Sequence, residues 1–137
     1  MTLFVDTSAW YAAADSDDSH NRRAKEVLGG HQTLLTTDHV LVESWLLIHH
    51  RLSAAAARQF WDGIRSGAAH VEPAGLADLE VAWGIGEAFP EHDFSIVDRT
   101  SFAVMQRLGV DEVATFDSDF AVYRYGRDRR RAFTVVS

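Results

Sequence analysis

Four acidic residues stand where ordinary surface charge does not explain them. Asp6 directly follows the apolar run TLFV, and Asp117 directly follows EVATF. Glu43 is the only acid between His39 and Leu52, and its neighbours one helical turn away include Val40, Leu46 and Leu47. A lone Glu within an apolar helix is an unusual solvent decoration. Asp98 opens a segment whose apolar positions are Phe102, Val104, Met105 and Leu108. If such carboxylates converge, like charges about 4 Å apart repel by roughly 4 kcal/mol at an effective dielectric near 20. They must then be protonated or neutralised. Mg²⁺ or Mn²⁺ resolves the conflict, because these ions take oxygen ligands, keep waters and bridge to phosphates. The chemistry such a cluster supports is activation of water for attack on phosphorus.

Each acid also has a plainer reading. Ser95 and Asp98 have the S-x-x-D spacing of a capping box, in which the acid serves only the helix start. Glu43 fits a buried partner for an arginine or a backbone group equally well. Asp119, two residues past Asp117 in TFDSDF, shares a side with it if the chain stays extended. The alternative for Asp119 is an Asx-type turn. Asp93, in the acidic loop EHD, reads as a solvated acid. The hydroxyls of Thr7 and Ser8 either orient water at a metal or cap the following helix.

The elements that must carry these residues alternate. TLFV reads as a strand, followed by a helix over DTSAWYAAAD and another from a Ser19 cap to a Gly29 stop. QTLLTT is a second strand, and DHVLVESWLLIHHRL a helix apolar nearly all round and therefore expected to be buried. A helix over SAAAARQFWDGIRSG, a brief strand AHVEP and a helix over GLADLEVAWGIGEAF come next. The Asp98 helix then leads to strands EVATF and AFTVV. This order predicts one α/β domain over residues 1–137, a mostly parallel sheet flanked by helices. In such sheets ligands bind beyond the carboxyl ends of the strands, which is where Asp6 and Asp117 stand.

Composition narrows the options. The chain has 137 residues and no cysteine, which excludes disulfides, thiolate metal sites and cysteine nucleophiles. Its N-terminus lacks the basic start of a signal peptide, and no apolar run approaches a membrane span, so a soluble cytoplasmic protein with no membrane partner is expected. The net charge of −7 opposes non-specific nucleic-acid binding. Against that, Arg124, Arg127, Arg129, Arg130 and Arg131 crowd into RYGRDRRR. Arginine suits phosphate contacts, and a solvated basic tail is the plainer reading.

LFVDTSAW, HVLVESWLLI and DFSIVDRTSFAVMQRLGVDEVATFDSDF, in that order, resemble the PIN domains, in particular the VapC-type ribonuclease toxins of bacterial toxin–antitoxin pairs. The resemblance spans essentially the whole chain. It implies an α/β/α sandwich, Mg²⁺- or Mn²⁺-dependent cleavage of RNA phosphodiesters, homodimers and a cognate antitoxin. It makes Asp6, Glu43, Asp98 and Asp117 the catalytic acids, with Asp6, Asp98 and Asp117 as metal ligands and Glu43 and Asp119 as further candidates. Asp93 matches a recurrent acid of the motif that is not a direct ligand. Thr7, Ser8, Arg127, Arg129 and Arg130 become candidates for substrate contacts.

Two other classes are weighed. A dehalogenase-like phosphotransferase needs D-x-D after the first strand, whereas Ser8 holds the third position here and Lys25 is the only lysine. A non-catalytic interaction module, whose acidic groove receives an arginine from a partner, is the alternative reading.

Overall fold

The computed structural model describes residues 1–30 and 32–137. The chain runs β1 (Thr2–Val5), α1 (Thr7–Ala14), α2 (Asn21–Leu28), β2 (Thr33–Thr37), α3 (Asp38–Arg51), α4 (Ala54–Arg65) and β3 (His70–Glu72). It continues through α5 (Leu76–Ala88), α6 (Ile96–Leu108), β4 (Glu112–Ala114), α7 (Asp119–Val122), a 3₁₀ turn (Arg127–Arg129) and β5 (Thr134–Val136). The strands form one five-stranded sheet in the order β3-β2-β1-β4-β5, every pairing parallel. The expected α/β class, with helices flanking a parallel sheet, is what the chain adopts.

Parallel strands need crossover connections, and the helices supply them. The β1 strand is central and covered on both faces, so Leu3, Phe4 and Val5 are all fully buried. From β1 the chain moves to β2 on one side, while β4 pairs with β1 on the other. That reversal makes the carboxyl ends of β1 and β4 the switch point of the sheet, where a crevice forms.

The α6 helix carries Asp98 into this crevice. Ser95 caps it by accepting the Asp98 backbone N–H at 3.0 Å. Gly109, at φ 69°, ends it in the left-handed conformation that glycine adopts without steric cost. Near its C-terminal end Arg107 grips both Asp78 oxygens, at 2.9 and 3.0 Å, which fastens α6 to the start of α5. Below Asp98, Phe102 stacks on Tyr123 at 4.3 Å and meets Phe94 and Phe120 edge-on. This aromatic packing sets the depth of the helix, and hence of its first turn.

Three local expectations change. Neither Thr7 nor Ser8 caps α1: Asp6 holds the N-cap position, and both hydroxyls turn to side chains instead. The α2 helix begins at Asn21 with no side-chain cap, not at a Ser19 cap. The α3 helix is not buried all round, since Val42 and Leu46 are 50% and 56% exposed. Its outward apolar residues are surface, which the sequence pattern alone cannot distinguish from a core helix.

Candidate metal centre

Asp6, Asp98 and Asp117 each offer a carboxylate oxygen, and the three oxygens lie within 4.8 Å of one another. Each acid arrives from a different element. Asp6 leaves β1 and opens α1, with its backbone N–H donating to the Ala114 carbonyl at the end of β4 (3.1 Å). Asp98 occupies the first turn of α6. Asp117 does not directly follow its strand, because β4 ends at Ala114 and Thr115 and Phe116 intervene.

Two hydroxyls fix this end of the sheet. The Thr115 hydroxyl donates to Asp6 Oδ2 at 2.9 Å, and the Ser8 hydroxyl donates to the same oxygen at 3.0 Å. Each hydroxyl has one proton, so both act only as acceptors towards the backbone. Ser8 Oγ accepts the Phe116 N–H at 2.9 Å, and Thr115 Oγ1 accepts the Asp117 N–H at 3.0 Å. The loop bearing Asp117 is thereby pinned to the strand end bearing Asp6. Thr115 escaped the reading of the sequence; its signal was a polar residue at a strand end, two positions before the acid of T-F-D.

Asp119 does not continue an extended chain. It starts α7, and its N–H donates to Asp117 Oδ1 at 2.9 Å, the Asx-type turn that was the alternative reading. Its carboxylate nevertheless acts on Asp98, whose carboxyl it helps to raise. Glu43 stands outside the group of three and is joined to it through a neighbour: the Thr7 hydroxyl donates to Glu43 Oε1 at 2.6 Å. Asp93 is exposed on the loop before α6.

The electrostatics follow from this crowding. Burial pushes the Asp6 carboxyl up to about 6, against the lowering effect of its Thr115, Thr7 and Ser8 hydrogen bonds. Asp98 rises further, to about 8, first through burial and then through the charges of Asp6 and Asp117, with Asp119 adding to the shift. Among the described residues, no Lys, Arg or His side chain forms an ion pair with Asp6, Asp98 or Asp117. A buried acidic cluster with no internal counter-ion and only oxygen donors fits a hard divalent cation.

The arginines of the C-terminal segment part company. Arg129 lies over the Phe89 ring, 4.2 Å from its centroid, and donates to the Ala88 carbonyl. Arg127 and Arg130 are exposed, and among the described residues their side chains make no hydrogen bond or ion pair. Another feature near the site was not foreseen: the His20 ring stacks on Phe116, the residue before Asp117, at 4.3 Å.

An acidic cluster at the switch point of a 3-2-1-4-5 parallel sheet defines an α/β fold with a candidate metal site, and comparison with known proteins specifies the class. The chain belongs to the PIN-domain family, whose profile matches residues 3–125. It is 38% identical over 126 residues to the 23S rRNA-specific endonuclease VapC20 of Mycobacterium tuberculosis, covering 87% of this chain and 92% of that protein. The crystal structure of M. tuberculosis VapC20, described as a sarcin–ricin loop cleaving toxin, superposes with a TM-score of 0.81 at 34% identity. That match covers 88% of this chain and 93% of the other. VapBC2 from Rickettsia felis, solved bound to a DNA fragment from its promoter, shares the fold at a TM-score of 0.62 and 10% identity, over 98% of this chain and 97% of the other. No helix among the described residues is long and apolar enough to cross a membrane.

Proposed function

We propose that this chain is a metal-dependent endoribonuclease and the toxin of a type II toxin–antitoxin pair. The observation that carries the reading is the approach of Asp6, Asp98 and Asp117 within 4.8 Å, with no counter-ion among the described residues, at the switch point of a PIN-domain sheet. Family membership and the ribonuclease activity in the name of the VapC20 relative support it.

In this reading Asp6, Asp98 and Asp117 hold Mg²⁺ or Mn²⁺, with Asp119 close enough through Asp98 to take part. The ion supplies Lewis-acid polarisation of the phosphate and makes water a stronger nucleophile at neutral pH. Glu43, steadied by Thr7, orients the attacking water and accepts its proton. The water oxygen bonds to phosphorus in line with the P–O3′ bond; as that bond breaks, the departing 3′-oxygen takes a proton from solvent water, giving a 3′-hydroxyl and a 5′-phosphate. Ser8 and Thr115 hold Asp6 in place, so the carboxylate does not reorganise as charge develops.

The proposed partners are an RNA substrate, a cognate antitoxin and a second copy of the chain. A protein partner is supported by the outward apolar residues of α3 and α4. Val42, Leu46 and Trp61 are exposed beside a groove of about 620 Å³, and a second groove of about 480 Å³ reaches Glu43. Because the relative is named for 23S rRNA and for sarcin–ricin loop cleavage, that loop is the first RNA to test.

The test is cleavage of ribosomal RNA and of a sarcin–ricin loop hairpin with Mg²⁺, with Mn²⁺ and with EDTA, for wild type and Asp117→Asn. Specific scission by wild type with metal, lost in EDTA and in the variant, is expected. Cleavage that survives EDTA contradicts the metal role. An intact RNA in every lane, together with tight binding of an arginine-bearing peptide to the acidic groove, would instead support the interaction-module reading.

A further inference from the structure

The segment Arg124–Arg131 contains five arginines and one aspartate, a net charge of +4 in a chain of net −7, so the remainder carries −11. An RNA approaching the acidic crevice is therefore repelled by most of the molecule and attracted by this segment.

Its backbone is held in an uncommon shape. Tyr125 and Arg131 exchange backbone hydrogen bonds, both 3.0 Å, which closes residues 125–131 into a small loop. Inside it Gly126, Asp128 and Arg129 have φ of 76°, 57° and 52°. Two consecutive non-glycine residues at positive φ are costly and persist only where surrounding contacts enforce them. Two arginines of the loop supply such contacts, and Arg124 is engaged just before it. Arg129 lies over Phe89 and reaches the Ala88 carbonyl. Arg131 lies over the Tyr125 ring and packs against Gly126. Arg124 donates to the carbonyls of Ala121, Val122 and Tyr123. Arg127 and Arg130 have no such role among the described residues. The anchoring point matters too: Ala88 and Phe89 end α5 and begin the connection that enters α6 at Ile96, two residues before Asp98.

We infer that the loop 125–131 is a phosphate grip, in which Arg129 and Arg131 lock the backbone so that the free guanidiniums of Arg127 and Arg130 engage the RNA backbone beside the α6 start. This rests on the ribonuclease reading for the identity of the ligand as RNA, and it divides an arginine cluster that sequence alone treats as uniform. Contacts of this kind position a substrate without reading its sequence, so any RNA serves as the probe.

The experiment measures binding of a fluorescein-labelled single-stranded oligoribonucleotide by anisotropy across a series of salt concentrations, using the Asp98→Asn protein with Mg²⁺ so that cleavage plays no part. Arg127→Gln/Arg130→Gln is compared with Arg65→Gln/Arg124→Gln, which removes the same charge from exposed arginines outside the loop 125–131. The first pair is expected to weaken binding about tenfold and to make the log–log salt slope shallower by about 1.4, from roughly 0.7 per lost phosphate contact. Its melting temperature stays at the parental value, because neither side chain holds the fold. The second pair is expected to change affinity less than about threefold. Equal losses for the two pairs would reveal a general charge effect and overturn the inference, as would an unchanged salt slope for the first pair or no RNA binding by the parent. Failure of wild type to cleave RNA, with the binding pattern intact, would instead count against the nuclease reading alone.

Discussion

The Thr7 hydroxyl donates a 2.6 Å hydrogen bond to Glu43 Oε1, joining the first turn of α1 to the middle of α3 across 36 positions of sequence. Thr7 is the residue after Asp6, so the bond sets the relation between Glu43 and the acid cluster. Replacing Thr7 by Val keeps the shape and removes the donor. Steady-state cleavage assays should show kcat falling roughly tenfold with KM nearly unchanged, the size expected when one positioned proton-transfer group is loosened. A kcat within twofold of wild type would mean that this bond does not position Glu43 for the reaction.

Thr115 has a different task, because its hydroxyl faces Asp6 on one side and the Asp117 N–H on the other. Thr115→Val leaves a partly buried N–H without its acceptor, at a cost of about 1–3 kcal/mol. It also removes a hydrogen bond that favours the ionised form of Asp6, so that carboxyl should titrate still higher. Urea denaturation and Mn²⁺ titration should show both effects, with metal affinity reduced at neutral pH.

Metal-free stability should depend on pH in a fixed direction. Asp6 and Asp98 are raised from an ordinary 3.8 to about 6 and about 8 in the folded chain. The folded state therefore keeps protons that the unfolded chain releases, and stability falls as pH rises from near 4 through these two values. In EDTA, the melting temperature of wild type should drop between about pH 5 and pH 8.5 relative to that of Asp98→Asn, which cannot ionise there. Mn²⁺ should reverse the order, stabilising wild type more than the variant. A wild-type melting temperature that tracks Asp98→Asn across this range would show that the carboxyls are not under mutual strain.

Two glycines of α5, two positions apart, should respond differently to alanine. A Cβ at Gly84 meets open space, so Gly84→Ala should stabilise by about 0.5–1 kcal/mol through helix propensity. A Cβ at Gly86 runs into the Arg99 guanidinium, whose Nε donates to the Phe94 carbonyl at 2.8 Å. Gly86→Ala displaces that clasp beside the start of α6 at a cost of about 1 kcal/mol, which offsets its own propensity gain and should leave stability near the wild-type value. Chemical denaturation of both variants reads the contrast directly.

Much of this arrangement is legible in the sequence, for reasons that differ by residue. Asp6 stands out because it ends a short apolar strand, and strand ends in an alternating α/β chain converge on one edge of the sheet. Asp98 was ambiguous between helix capping and site chemistry, and the structure separates the two tasks: Ser95 caps the helix by accepting the Asp98 N–H, while the Asp98 carboxylate meets Asp6 and Asp117. Other features depend on tertiary packing that no local pattern encodes. The exposure of Val42 and Leu46 is set by how α3 lies on its neighbours, so a helix apolar on nearly every side looks the same whether covered or not. The split among the arginines hinges on where Phe89 and Tyr125 fall in space. Thr7 and Ser8 sit where capping residues are common, and only tertiary placement shows otherwise: α3 brings Glu43 to the Thr7 hydroxyl, and the end of β4 brings Thr115 and Phe116 to Ser8.

The central claim is that Asp6, Asp98 and Asp117 form one divalent-metal site, and calorimetric titration of the protein with Mn²⁺ tests it most directly. Run near pH 7 in buffers of different ionisation enthalpy, the titration should show saturable binding with release of protons, because Asp98 holds one in the absence of metal. Asp6→Asn and Asp98→Asn should each reduce the affinity at least about tenfold, as expected on losing a ligating carboxylate. Binding by either variant with the wild-type affinity, or no saturable binding by wild type, would contradict the account.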